Sequence, residues 1–132
     1  MIYGEDILDL LEDLSLGTKG ADLFLGQMPD SPHDCVMIKE TGGFDVSTKI
    51  AIDRPTVQIL SRSNSYETGR QKIEDIKIAL QSKESTTINS NVYLGFYLQG
   101  QPAHAGQDDS NRHLFSSNFN FLVQPQDKGN RS

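Results

Sequence analysis

The chain has 132 residues, 36% of them hydrophobic, a formal net charge of −6 and a mean hydropathy of −0.47, which suits one domain with one ordinary core and a polar surface. Its 12 Lys and Arg are scattered and nowhere form a run, which argues against a nucleic-acid binder, since that needs a basic face to neutralise phosphates. A single Cys rules out an internal disulfide framework, and no stretch reaches the ~18 apolar residues of a membrane span.

Met1-Ile2-Tyr3 is followed by acidic residues, not by the basic start and apolar run of a secretory leader. The expectation is a soluble chain made in a reducing cytoplasm. Glu5 to Leu16 carries Ile7, Leu8, Leu11 and Leu14 at helical spacing, with Leu10 at the edge of the stripe, and Gly17 and Gly20 as stop signals. Asp9, Glu12 and Asp13 lie on the opposite face, which reads as solvated; an acidic surface shared with other copies is the alternative. Ala21 to Gln27 and Cys35 to Thr41 read as strands. They are separated by a turn in which Pro29 and Pro32 break any ladder, and Gly42-Gly43 stops the second. Val36 and Ile38 fall on one face of that strand and Cys35 and Met37 on the other, so the pattern predicts a central strand covered twice. Gly42 to Asp53, with Phe44, Val46, Ile50 and Ile52, is too apolar for a plain solvent loop; an arm on a neighbour and an irregular strand both fit.

Pro55 to Arg62 reads as a strand with Val57 and Ile59 on one side. Asn64, with Glu67 three residues on, predicts the cap of a helix running from Ser65 to about Gln81. Tyr66, Gly69, Ile73, Ile76 and Leu80 make its core stripe, Ile78 lies off it, and Gly69 implies close approach to the sheet. Val92 to Gln99 and Leu114 to Val123 alternate with period two and predict an antiparallel hairpin around a loop from Gly100 to Arg112. Phe96, Phe119 and Phe121 belong inside it. Gln126 onward is polar. The result is one α+β domain over residues 1–125, with a mixed, mostly antiparallel sheet of about five strands and two main helices, followed by a flexible tail at 126–132.

Chemistry is scarce. His33 and Cys35 share one short stretch, but close neighbours along an extended chain are not thereby arranged as nucleophile and base. Cys35 reads as a small buried hydrophobe. His104 and His113 flank Asp108-Asp109 and would meet across the hairpin to hold a metal; their spacing matches no usual zinc pattern, and exposed loop histidines are the preferred reading. Asp108-Asp109-Ser110-Asn111 lacks the glycine and distal Glu of a calcium loop. No cofactor, metal or catalytic residue is expected.

Leu25-Gly26, the turn Met28-Pro29-Asp30-Ser31-Pro32, the Cys35-Val36 pair and Glu40-Thr41-Gly42-Gly43-Phe44 together resemble the opening of the small minor capsid or tail terminator (tail completion) proteins of long-tailed phages. Looser similarity continues through Arg54-Pro55-Thr56-Val57-Gln58, the helix from Ser65, Gln101-Pro102 and Phe115-Ser116-Ser117-Asn118-Phe119, so that the likeness spans Leu23 to Val123. The resemblance implies a virion protein, made in the host cytoplasm, that caps the head-proximal end of the tail tube as a homo-hexameric ring. Its implied partners are the tail tube protein and a head completion or connector protein, with genome DNA passing through without specific binding, and no membrane. The alternatives are another head-tail connector and, behind it, a small enzyme or an assembly chaperone. Ring and tube contacts are expected in the segments that the core leaves unexplained, at Met28, Pro29, Asp30, Phe44, Ile50, Arg54, His104, Asp108 and Arg112, with Phe44 as the leading anchor.

Overall fold

The computed structural model describes residues 3–44 and 52–124. Helix α1 (Tyr3–Asp13) is followed by β1 (Leu23–Leu25), β2 (Cys35–Phe44), β3 (Arg54–Ser63), helix α2 (Tyr66–Gln81), β4 (Thr86–Ile88), β5 (Asn91–Gln107) and β6 (His113–Gln124). The strands form one sheet of six in the order β1-β2-β3-β6-β5-β4. Only β1 and β2 run parallel; the other pairings are antiparallel. The expected α+β class and mixed, mostly antiparallel sheet are observed. β4 is a strand the sequence did not announce.

Both helices lie on one face of the sheet. On the inner side, Glu40 of β2 accepts a hydrogen bond from the Gly4 amide of α1 (3.0 Å), and Ser61 of β3 donates to the Gly69 carbonyl of α2 (3.2 Å). Val36, Ile38, Val57, Ile59, Phe115, Phe119 and Phe121 point into this layer and meet Ile7, Leu11, Ile73, Ile76 and Leu80 in one core. β2 is therefore not central and not covered twice. It is second from the edge: inward Val36 and Ile38 are buried, and of the outward residues Cys35 is buried, Met37 half-buried and Lys39 exposed. One helical layer cannot cover two sheet faces.

Helix α1 ends earlier than the glycines suggested. Ser15 takes the left-handed conformation (φ 61°), and the Leu16 and Ser15 amides return to the carbonyls of Leu11 (2.9 Å) and Glu12 (3.0 Å), a six-to-one and five-to-two closure that ends the helix before Gly17. At its other end the buried Asp6 carboxylate accepts from Asn89 Nδ2, Asn91 Nδ2 and Tyr93 Oη, each at 2.8 Å, which ties α1 to the β4–β5 turn. Burial, and then this bond to Asp6, push the Tyr93 hydroxyl far above the usual phenol range. The acidic face is only partly solvated: Asp9 pairs with Lys19, which holds its carboxyl low, and takes Asn89 Nδ2 at 2.7 Å.

Ser65, not Asn64, caps α2, accepting from the Thr68 amide at 3.3 Å. The expected stripe is buried at Gly69, Ile73, Ile76 and Leu80, while Tyr66 at its start stays 49% exposed. The close approach at Gly69 is real: a Cβ there would stand 3.0 Å from the Phe115 ring and 3.3 Å from Ser63 Cβ.

Three strand expectations are corrected. Gly42-Gly43 does not stop β2 but carries it through a bulge to Phe44. The backbone at Gly43 passes so close to β3 that a Cβ would meet the Arg54 carbonyl at 2.5 Å. The segment Gly100 to Gln107 is not loop, since β5 continues through it and the turn is confined to residues 108–112. A register break between Tyr93 and Gly95 reverses the strand's alternation, so that Tyr93 and Phe96 are both buried and Leu94 is 40% exposed. The expected tail, 126–132, and the apolar stretch 45–51 lie outside the described residues.

Candidate functional site

The sheet brings distant segments to two opposite ends. At one end lie the start of β2, the finish of β3, the β5–β6 turn and the first turn of α2. At the other lie the Phe44–Arg54 register pair and the Asp53–Val123 bridge. The ten-residue strands between them set the ends about 30 Å apart. Of the expected contact residues, Met28, Pro29, Asp30, His104, Asp108 and Arg112 collect at the first end. Arg54, exposed at the head of β3, marks the second. Ile50 and the side chain of Phe44 lie outside the described residues.

The first end is built around two buried arginines: Arg62, which sequence reasoning missed, and Arg112, which it named as a contact without foreseeing its burial. Arg62 sits on the outer side of β3, 4% exposed. Its Nε donates to the His33 carbonyl (3.1 Å) and its Nη2 to the carbonyls of Pro29 and Pro32 (both 2.6 Å). Arg112, in the hairpin turn and equally buried, donates from Nη1 to the Asp30 carbonyl and from Nη2 to Asp30 Oδ1 (3.0 Å). Its Nε donates to Asp108 Oδ2 (2.8 Å). The proline turn, with a cis peptide at Ser31–Pro32, is thereby folded back onto the outer side of the sheet. Met28 lines a shallow depression there with Leu60 and Leu114, while Asp30, Ser31, Pro32, His33 and Asp34 remain exposed.

Asp108 organises the neighbouring turn. Its Oδ1 accepts from the amides of Arg112 (2.9 Å) and Ser110 (3.0 Å). The Arg112 amide is the main cause holding this carboxyl below the usual range, with Ser110 and the Arg112 guanidinium adding to it. The Asp30–Arg112 pair has one fully solvated partner, so its charge attraction alone contributes little. The signal available in sequence was weak: Arg62 shares the outward parity of Gln58 and Leu60, and only the fold shows what covers it.

No catalytic set assembles around Cys35. Its thiol is buried and burial pushes it above the usual thiol range, away from the reactive thiolate. His33 lies by Arg112 instead, with Nδ1 3.5 Å from Nη1. A cleft of about 650 Å³ runs between the first half of α2, the start of β2 and the finish of β3. Asp22, Asp34, Glu67 and Asp75 line it together with Lys72 and Arg62, a mixed charged wall without a nucleophile and base in contact. Among the described residues no three His, Cys, Asp or Glu gather to hold a metal ion. His104 and His113 do meet, His104 Nε2 to His113 Nδ1 at 3.2 Å, beside Tyr66.

The described residues thus form a small α+β domain with stapled turns at one end. The chain belongs to the bacteriophage tail terminator protein family, whose profile matches residues 10–125. That family is structural and non-enzymatic; its members are virion tail proteins that engage the tail tube. No curated protein sequence matches the chain. A solved protein structure shares the fold with a TM-score of 0.51 at 12% identity, covering 92% of this chain and 90% of that one.

Proposed function

We propose that this protein closes into a ring of six copies on the head-proximal end of the tail tube, ends tube growth there and offers its far side to a head completion protein. Genome DNA then passes through the bore without specific binding, helped by the net charge of −6 per copy, which repels phosphates.

The observation that carries this reading is a pair of open sheet edges. Among the described residues, β5 beyond Tyr93 has only β6 beside it, and β2 beyond Ile38 has only β3. The two edges lie on opposite sides of the sheet. A contact between unlike edges is head-to-tail, and such contacts close into a ring when the rotation allows. Pro102 and the register breaks around Gly100, Ala103 and Gly106 blunt the far half of β5. The regular run from Gly95 to Leu98, with Tyr97 exposed in it and Leu94 exposed at the bulge before it, is left to receive a neighbour.

The two ends of the domain then face the two axial partners. Met28, Pro29, Asp30, His104 and Asp108 present one surface, mounted by Arg112. Arg54, exposed at the head of β3, marks the other. Mass photometry over a dilution series should show monomers or small oligomers when dilute, and rings when the protein is concentrated or mixed with tubes. The double variant Leu94→Lys, Tyr97→Lys should keep the monomer's melting temperature, lose the ring and leave tails overlong. Rings that persist in this variant sink the edge pairing. A protein that sits on tube ends as single copies sinks the ring itself.

A further inference from the structure

His104 belongs to the proposed axial surface, but its meeting with His113 is a feature of its own. His104 stands on β5 and His113 opens β6, nine positions later, so the hairpin places both rings together. The facing nitrogens, His104 Nε2 and His113 Nδ1, are 3.2 Å apart. Two imidazole nitrogens bound to one ion at about 2.0–2.1 Å stand about 2.9 Å apart at a right angle and about 3.4 Å apart at the tetrahedral angle. The observed separation lies between these values.

The rings are also held in place. The Tyr66 ring centroid lies 5.1 Å from that of His104 and 5.4 Å from that of His113, and the buried Phe115 ring lies 5.1 Å from His104. Much of the ordering cost of a chelate is therefore met before any ion arrives. His104 is exposed and His113 half-buried, so an ion can reach the pair from solvent.

We propose that His104 and His113 form a two-imidazole site for a late first-row divalent ion such as zinc, nickel or copper, the ions that imidazole suits. Binding replaces the proton shared between the two nitrogens and leaves the ion's remaining positions to water or to a ligand from an assembled neighbour. No third His, Cys, Asp or Glu joins the pair among the described residues, so the site is a partial shell and its affinity is modest.

The full chain carries only three histidines, which makes His33 an internal control. Nickel chloride titrated into the protein at about pH 7.5, where unperturbed imidazole is neutral, should show one saturable ion per chain by calorimetry. His104→Ala and His113→Ala should each weaken binding at least tenfold, and His33→Ala should leave it unchanged. Copper-loaded wild type should show two coupled nitrogens in its electron paramagnetic resonance spectrum, a readout that survives if a variant fails to fold. Unsaturable binding, binding retained in both His104 and His113 variants, or a spectrum with one nitrogen overturns the site.

Discussion

Phe119 is the strongest single test of how the core is built. It is fully buried, and it sits in the middle of β6, opposite Val57 on β3 and Leu98 on β5. An aromatic side chain buries roughly 150–250 Å², and at about 25 cal/mol per Å² its transfer from water contributes about 4–6 kcal/mol. Alanine keeps a small part of that, while the cavity left behind adds to the loss, so Phe119→Ala should cost about 3–5 kcal/mol. A domain has only about 5–15 kcal/mol in total. At a few degrees per kcal/mol for this size, the melting temperature should fall by about 10–20 °C. Urea unfolding followed by circular dichroism measures the first figure and calorimetry the second, with tail length scored in the virus. Normal stability together with overlong tails would place Phe119 against the tube and refute the packing argument.

Gly69→Ala sets a helix gain of about 1 kcal/mol against crowding of Phe115 and Ser63. Because Phe115 is fully buried and cannot move away, the net result should be a loss of about 1 kcal/mol, and a stabilised variant would refute the close contact. Arg62→Ala strips three carbonyls of their donor and should free residues 28–34, seen as new protease cleavage there with the sheet's amide protection intact. Cys35 should react with a thiol reagent at about pH 8 far more slowly than the unfolded chain does, because burial holds the thiol neutral and covered. Removing residues 127–132 should leave thermal stability unchanged, since that polar segment has no apolar side chain to bury.

The sheet was legible wherever burial on one face printed a period of two, as at Val57 and Ile59 or along Phe115 to Val123. It failed where a bulge changes parity: Tyr93 and Phe96 face the same side only because a residue is slipped between them. The length of β5 was hidden by Gly100 and Pro102, which punctuate most strands but are tolerated on an edge whose outer side makes no ladder. The helix cap was misplaced by one residue because Asn64 and Ser65 are both good caps, and local chemistry does not choose between them. The expected contact residues were picked by what the core left over. Their division into two ends depends on β6 inserting between β3 and β5, which no local pattern encodes. Arg62 escaped, and Arg112 was named without its buried role, because a buried guanidinium and a solvated one look alike until the chain that covers them is in place.

Arg62 grips the proline turn by main-chain oxygens of Pro29, Pro32 and His33, and through no side chain of the turn. This hold, unlike the Arg112 bond to the Asp30 carboxylate, is thus indifferent to which side chains the turn carries. Met28, Ser31 and Asp34 can be exchanged without loosening the backbone beneath them, provided the turn keeps its shape. A tail protein that must fit the tube it engages gains from such an arrangement. Its face can be rewritten residue by residue while its scaffold stays as it is, which makes this turn the natural place to graft new docking specificities.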